Sequence, residues 1–269
     1  MIDVDSDYSR LLPFRDAVFP TFDADQERAA SIVSAAVLKS QAGQRIGGII
    51  DLGCGTAEIS GLVRREMVKA LGRGVKCLGV DRSSAEIAVA RELRTGCEFV
   101  EQRAEAFVKS LGEGQNSFSP HNTLVLCVGH TIPHFHEASE FLDNISMWRP
   151  TLLLIDFYEN WDAVVQHFEA PGAAPLRQVK HSYRSSTGNL VTHTLTTKRH
   201  PEDPERIVRG IETSYDGKPG TADFWTTQLR RGSGWFLRTF MRHGYAVDRT
   251  LTYTGGYGPM QGFLLARAL

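Results

Sequence analysis

Short apolar runs alternate with amphipathic stretches between residues 46 and 160, and this alternation limits the possible folds more than any other feature. The apolar runs predict buried strands at 46–52, 75–80, 97–100, 122–128 and 152–157. The stretches between them predict helices at 59–71, 84–94, 104–111 and 138–148. Strands that alternate with helices at this spacing form a parallel, doubly wound sheet.

The pattern changes after the fifth predicted strand. Four antiparallel strands are predicted at 178–185, 190–198, 207–215 and 224–230, with a turn at Thr187-Gly188-Asn189 between the first two. A helix at 233–243 and strands at 246–253 and 261–266 then complete the first sheet. The glycine-rich link between these last strands is too short for a crossover helix, so we predict that they are antiparallel.

The sequence therefore predicts an α/β fold with a Rossmann-like, doubly wound, seven-stranded sheet whose last strand is antiparallel. We predict four segments: an N-terminal helical cap or lid at 1–45, a core at 46–160, an antiparallel β insertion at 161–232, and the completion of the core at 233–269. The cap contains a helix at 25–40, because apolar residues repeat there at helical spacing.

Composition narrows the class of function. The chain has 30 Lys and Arg against 31 Asp and Glu, a net charge of −1, which weakens a role in non-specific nucleic-acid binding. No apolar run approaches the roughly 18–20 residues that span a bilayer, and the acidic start does not resemble a signal peptide. The cysteines have no CxxC spacing, so we expect reduced thiols in a cytoplasmic protein. They are Cys54, Cys77, Cys97 and Cys127.

Charge is unevenly distributed along the chain. Residues 1–30 contain seven acids and three arginines, whereas residues 176–242 contain twelve basic and six acidic residues. The simpler interpretation is a set of solvated surfaces. The alternative is a mildly positive entrance to a binding site, which would suit an anionic or carboxylate-bearing ligand.

A glycine-containing turn follows the first predicted strand, in the segment Asp51-Leu52-Gly53-Cys54-Gly55-Thr56-Ala57-Glu58. Glycine permits a tight turn and a close approach of backbone to a ligand, and the helix that follows offers free amides. Asp51 precedes the first glycine by two residues and can bind an ammonium group directly or through water. This chemistry suits an amino-acid moiety better than a pyrophosphate.

Asp81 ends the second predicted strand, where an acid can accept hydrogen bonds from both hydroxyls of a ribose. The alternative is that Asp81 caps the following helix. Ser83 and Ser84 are available as caps, however, which favours the ribose role.

Together these segments resemble the class I S-adenosylmethionine-dependent methyltransferases. DLGCGTA resembles the first motif of that family and LGVDRS its acidic second motif, and the resemblance covers roughly residues 46–160 and 233–269. A nicotinamide fingerprint would need glycine at position 58, where Glu58 stands. The chain also departs from the commonest methyltransferase pattern, because Ala57 replaces a third glycine.

The resemblance implies S-adenosylmethionine as the methyl donor and S-adenosylhomocysteine as the product. It places the methionine portion at the glycine turn and at the end of the fourth strand, the ribose at Asp81, and the adenine near Arg82 and Ala104. Glu105 would accept from the adenine amino group, or would only be a first-turn helix acid. The implied contacts are Asp51, Gly53, Cys54, Gly55, Asp81, Arg82, Ala104, Glu105, Cys127 and Val128.

Three histidines, His130, His134 and His136, follow the fourth predicted strand. Histidine titrates near pH 7, so we predict that His130 or His134 acts as a general base, with packing of the loop as the alternative. His136 more simply begins the next helix. The spacing of the three fits no standard metal site, and we predict none.

Tyr158, Asn160 and Trp161 follow the fifth strand. The resemblance implies that they flank the methyl acceptor, where aromatic rings suit a sulfonium. The alternative, in which Tyr158 and Trp161 pack under the insertion, is equally open.

We therefore expect methyl transfer to an oxygen or nitrogen of a small molecule, because a cap and an insertion would close the site. GHTIP stands where base methyltransferases carry an NPPY-like tetrad, which disfavours nucleic acid. A protein or RNA methyltransferase, and a non-catalytic S-adenosylmethionine-binding protein, stay as alternatives. A homodimer also stays open.

Overall fold

The computed structural model describes residues 22–93, 95–114, 117–135, 138–170, 176–184, 190–215, 218–219, 224–255 and 258–267. The chain divides into two compact units. The larger unit comprises Asp23–Glu159 and Ser233–Leu269, and the smaller unit includes Asn160–Gly232.

Helices and strands are numbered in chain order. The helices are α1 (Phe22–Lys39), α2 (Glu58–Leu71), α3 (Ser84–Glu92), α4 (Ala104–Gly112), α5 (Ala138–Trp148), α6 (Trp161–Glu169) and α7 (Ser233–Arg242). The strands are β1 (Gly48–Leu52), β2 (Lys76–Asp81), β3 (Glu98–Glu101), β4 (Thr123–Cys127), β5 (Leu152–Tyr158), β6 (Leu176–Arg184), β7 (Leu190–Arg199), β8 (Arg206–Tyr215), β9 (Lys218–Pro219), β10 (Phe224–Leu229), β11 (Tyr245–Gly255) and β12 (Gly258–Arg267).

The larger unit is built on a seven-stranded sheet in the order β11-β12-β5-β4-β1-β2-β3. β1 to β5 are parallel to one another, whereas β12 is antiparallel to both β5 and β11. Every residue of β1 and β4 is buried, as expected for central strands whose two faces are covered. The predicted doubly wound sheet with an antiparallel last strand is confirmed.

Helix α1 packs into the core of this larger unit. Its residues Ala29, Val33 and Val37 are buried in the same apolar cluster as Ile49 of β1 and Leu124 of β4. The apolar face that predicted this helix is therefore the face by which it binds the core. The core begins earlier in the chain than residue 46, because part of the segment assigned to the cap belongs to it.

The smaller unit contains α6 and an antiparallel sheet in the order β10-β8-β7-β6, with β9 paired to β8. Its strands follow the predicted ones closely, and the predicted turn at 187–189 lies outside the described residues. Trp161 and Phe168 of α6 form hydrogen bonds with the segment that directly follows β10. The Trp161 indole N–H donates to the Arg231 carbonyl (2.8 Å), and the Arg230 guanidinium donates to the Phe168 carbonyl (3.0 Å).

The expectation of four reduced thiols is wrong for two of them, because Cys77 and Cys97 form a disulfide. β2 and β3 pair in a register that sets Leu78 opposite Glu98, so the preceding residues, the two cysteines, also face each other, with Cα atoms 4.5 Å apart. The pairing comes from strand order and not from spacing along the chain. Cys54 and Cys127 are free.

Among the helices of the described ranges, none combines the length and the hydropathy needed to cross a membrane.

Candidate active site

The loop between β1 and α2 (residues 53–57, the glycine loop) folds back over the end of β2. The backbone N–H groups of Gly53 and Cys54 donate to the Val80 carbonyl, at 2.8 and 3.1 Å. These bonds place the loop at the carboxyl edge of the parallel strands, which is where ligands bind in open α/β sheets.

Gly53 is required by the packing of the glycine loop. It has φ +70°, and a Cβ at this position would lie 2.4 Å from Cγ2 of Thr131. Thr131 belongs to the loop that follows β4 (residues 128–131, the β4 loop), where its hydroxyl donates to the Val128 carbonyl at 2.6 Å. The two loops therefore touch through backbone at Gly53, and a side chain there would separate them.

Asp51 is buried at the end of β1, with 2% of its surface exposed. Among the described residues its Oδ1 has no hydrogen-bond partner. Burial raises the pKa of Asp51 to about 7, Ser60 opposes this by a hydrogen bond, and the charges of Asp81 and Asp156 add to the rise. A buried carboxylate with a vacant acceptor oxygen and acidic neighbours is suited to a cation that can donate hydrogen bonds.

Asp81 holds the glycine loop at Gly55. Its Oδ2 accepts from the Gly55 N–H and its Oδ1 from the Ser83 N–H, both at 2.9 Å. Ser83, not Asp81, caps α3, because the Ser83 hydroxyl accepts from the Glu86 N–H. A carboxylate oxygen can accept from more than one donor, so the position of Asp81 suits ribose hydroxyls. Arg82, next in the chain, is exposed.

The start of α4 lies at the same edge of the sheet. The Gln102 N–H donates to the Asp81 carbonyl at 2.8 Å, and Ala104 begins the helix and is buried. Glu105 accepts from the Arg103 guanidinium at 3.2 Å. Glu105 thus has a partner within its own turn, as the interpretation of a first-turn acid requires.

Cys127 ends β4 and Val128 follows it, and both are buried. Burial raises the pKa of the Cys127 thiol well above its usual range, and the same cause raises the pKa of Cys54. Both thiols are therefore neutral and weak nucleophiles near pH 7. Their contribution at this edge is apolar surface and not reactivity.

His130 holds the β4 loop in place. It is fully buried with φ +62°, and its backbone N–H donates to Asp156 Oδ1 at 2.8 Å. Its Nδ1 accepts from the Tyr158 N–H at 3.3 Å, so the neutral ring carries its proton on Nε2. A ring in this state offers no lone pair to a substrate, and the geometry therefore argues against His130 as the general base.

His134 ends a short 3-10 turn, Ile132–His134, and is partly exposed. Its ring centroid lies 6.1 Å from that of His130. His134 thus stays the candidate base of the two. His136 lies outside the described residues.

Of the three predicted acceptor contacts, Tyr158 lies beside His130, with ring centroids 4.4 Å apart. Asn160 and Trp161 belong to the smaller unit. Asn160 is exposed, whereas Trp161 is buried and already uses its indole N–H. Their role at an acceptor stays a prediction.

Sequence reasoning missed two residues of this edge, Asp156 and Tyr253. Asp156 is fully buried near the end of β5 and accepts from the Gly129 N–H (3.0 Å), the His130 N–H and the Tyr253 hydroxyl (2.5 Å). Burial raises the pKa of Asp156 to about 6, although the three donors lower it. An acid inside the apolar run LLLIDF was the available signal, since a buried carboxylate needs donors.

Within the described ranges, no group of three or more His, Cys, Asp and Glu side chains could hold a metal ion.

No family model and no curated protein matches the chain. Solved structures do match. An S-adenosylmethionine-dependent methyltransferase from Clostridium acetobutylicum has a TM-score of 0.59 and 9% identity, over 96% of this chain and 97% of that one. CalS10, an amino pentose methyltransferase from Micromonospora echinaspora solved with S-adenosylmethionine, has a TM-score of 0.56 and 13% identity, over 90% and 92%.

The sugar N-methyltransferase KedS8 from Streptoalloteichus gives a TM-score of 0.55 and 14% identity, over 96% and 92% of the two chains. At these identities the likeness concerns the fold. This chain has the fold of the class I S-adenosylmethionine-dependent methyltransferases, as its sequence motifs led us to expect.

Proposed function

We propose that this protein is an enzyme that transfers a methyl group from S-adenosylmethionine to an oxygen or nitrogen of a small molecule. One observation carries the proposal. The buried Asp51 carboxylate has an oxygen without a partner among the described residues, and it ends a central strand directly before the glycine loop.

The residues at the carboxyl edge of the sheet fit S-adenosylmethionine. Asp51 would bind the ammonium group, the backbone of Gly53 and Gly55 would line the methionine portion, and Asp81 would hold the ribose hydroxyls. When bound, the cofactor supplies a methyl group on a positively charged sulfur. The Asp51, Asp81 and Asp156 carboxylates influence one another, and such an acidic edge favours a cationic ligand.

The chain's own contribution to the chemistry would be to orient the acceptor and to take up a proton. A hydroxyl or protonated amine must lose a proton to become a nucleophile, and His134 is our candidate for that step. Positioning of the acceptor near the methyl group would supply much of the rate. An amino sugar is one acceptor class to assay first, because CalS10 and KedS8 are named for amino pentose and sugar N-methylation.

The insertion at 161–232 is our proposed substrate cover, and the expected partner is a small molecule and not nucleic acid. A cytoplasmic location stays our prediction, although the Cys77–Cys97 disulfide removes the argument from reduced thiols. Light scattering would test for a homodimer.

Calorimetric titration of S-adenosylmethionine and S-adenosylhomocysteine tests the proposal. We expect micromolar binding to the wild type and a loss of at least tenfold in Asp81→Asn. Glu98→Gln is the matched control, because Glu98 is an exposed acid at the opposite end of the neighbouring strand, and its affinity should equal that of the wild type. A folded wild type that binds neither compound would refute the proposal.

Turnover separates an enzyme from a sensor. With a panel of amino sugars and hydroxylated metabolites, we expect S-adenosylhomocysteine to accumulate with at least one acceptor, and His134→Ala to slow it. Tight binding without turnover, or turnover on RNA or protein alone, would favour the corresponding alternative.

A further inference from the structure

Two elements of the larger unit, the β4 loop and β11, donate to one buried carboxylate, that of Asp156 in β5. Its Oδ1 accepts from the His130 N–H, and its Oδ2 accepts from both the Gly129 N–H and the Tyr253 hydroxyl. Gly129 and His130 both have positive φ, +77° and +62°. Two successive N–H groups in such a turn form a concave site for an anion, so the charge of Asp156 holds the turn closed.

Tyr253 reaches Asp156 from β11 across the intervening strand β12. Gly262 of β12 lies opposite Asp156 in register, and a Cβ at Gly262 would lie 3.1 Å from the Tyr253 ring. The missing side chain at 262 leaves the passage through which the tyrosine hydroxyl reaches the carboxylate. Burial of the Asp156 carboxylate carries a desolvation cost, which the Tyr253 hydroxyl and the two backbone donors offset by hydrogen bonds.

The turn that Asp156 holds is joined to the glycine loop. Thr131 follows the turn directly and contacts Gly53. His130 also accepts from the Tyr158 N–H, which attaches the turn to β5 a second time. A displacement of residues 129–130 would therefore move Thr131 and change its contact with Gly53.

We infer that Asp156 and Tyr253 are positioning residues, which set the β4 loop, and through it the glycine loop, for binding of the methyl donor. The inference rests on the proposed function and adds two residues to it. Neither residue needs to touch the donor: Tyr253 orients Asp156, Asp156 holds the turn at 129–130, and Thr131 transmits the position to Gly53.

Titration of S-adenosylhomocysteine into tyrosine variants tests the inference. Tyr253→Phe removes only the hydroxyl that donates to Asp156, so the turn at 129–130 is held less firmly and must be ordered when the ligand binds. We expect the dissociation constant to rise roughly tenfold, about 1.4 kcal/mol. Tyr245→Phe is the matched control: Tyr245 is a buried tyrosine at the other end of β11, whose hydroxyl donates to the Pro150 carbonyl. It should lower the melting temperature and leave affinity unchanged.

A double-variant cycle adds a readout that general destabilisation does not move. Asp156→Asn replaces one of the two acceptor oxygens by an N–H₂ group, so the amide cannot accept from all three donors. We expect this variant to weaken binding at least as much as Tyr253→Phe. The double variant should bind no worse than Asp156→Asn alone, because both changes act through one turn. Gly262→Ala should also weaken binding, by displacing the Tyr253 ring.

The outcomes separate the two hypotheses. A wild type that binds S-adenosylhomocysteine, together with a Tyr253→Phe variant of unchanged affinity, would refute the positioning role alone. Equal losses of affinity in Tyr253→Phe and Tyr245→Phe would also refute it, since the effect would then be one of stability. A folded wild type without binding would overturn the proposed function, and this inference with it.

Discussion

Ala57 is a residue whose backbone conformation conflicts with its side chain. It precedes α2 with φ +58° and ψ +25°, in the left-handed region, at the position where the commonest methyltransferase pattern has a third glycine. The sequence pattern flagged this position, but only the structure gives the conformation that explains why glycine is favoured there.

We predict that Ala57→Gly stabilises the protein by about 0.5–1 kcal/mol, because relief of the left-handed strain exceeds the added entropy of the unfolded glycine. Urea unfolding measures this. Ala88→Gly, at an exposed position inside α3, is the control and should destabilise by about 1 kcal/mol. Destabilisation by both substitutions would mean that residue 57 is not left-handed in solution.

The buried Asp51 carboxylate lowers the stability of the fold at neutral pH, and we propose that it binds the ammonium group of the ligand. Its pKa, about 7 in the folded protein, lies above the 3.8 of the unfolded chain. A carboxyl with a raised folded pKa stabilises the fold at low pH and loses that contribution as the pH rises toward 7.

We therefore predict that Asp51→Asn increases the free energy of unfolding at pH 8 by roughly 2 kcal/mol, with a smaller gain at pH 5, while binding of S-adenosylmethionine is lost. Thermal unfolding at both pH values without ligand measures the gain. Glu98→Gln should change stability little at either pH. A destabilised Asp51→Asn at pH 8 would contradict the assigned burial cost.

At the scale of elements, strand pairing creates a contact that no local pattern contains. Cys77 and Cys97 are 20 residues apart, and the register of β2 against β3 alone brings them together. The strands, helices and the Ser83 cap were predictable because each depends on local apolar periodicity and capping chemistry.

We predict that reduction of this disulfide lowers the free energy of unfolding by about 3 kcal/mol, from the entropy of the loop that it closes. Urea unfolding with and without dithiothreitol measures the difference, and a Cys77→Ser/Cys97→Ser variant should not respond to the reductant. Denatured, unreduced protein should show two titratable thiols, from Cys54 and Cys127. Four thiols would overturn the pairing.

At the scale of the whole molecule, the candidate site was predictable in its parts and not in its connections. Asp51, Gly53 and Asp81 stand at strand ends within one stretch of sequence, so a motif could identify them. Asp156 and Tyr253 were missed because their bond crosses β12 and depends on sheet order. The argument against His130 as the base also depends on sheet order, because its Nδ1 accepts from the backbone of a distant strand.

The sheet also determines how pH controls binding, because Asp51, Asp81 and Asp156 come from three different strands and interact only in the assembled edge. Asp156 already accepts from three donors, and its pKa, about 6, is lower than the pKa of Asp51. Asp51, with a pKa of about 7, is therefore the group that a cationic ligand must ionise near neutral pH. A bound ammonium favours the charged carboxylate, so binding releases a proton wherever Asp51 is protonated in the free protein.

We predict that the affinity for S-adenosylmethionine falls as the pH decreases from 7.5 to 6, approaching a tenfold loss per pH unit at the lower end. The range lies below that in which α-amino groups lose their proton, roughly pH 7.7–8.0. Calorimetry at pH 6.5 in two buffers of different ionisation enthalpy should detect the released proton. Glu98→Gln should keep both effects. Micromolar binding without proton release in the wild type would contradict this prediction: either Asp51 is already ionised in the free protein at pH 6.5, or another group receives the ammonium.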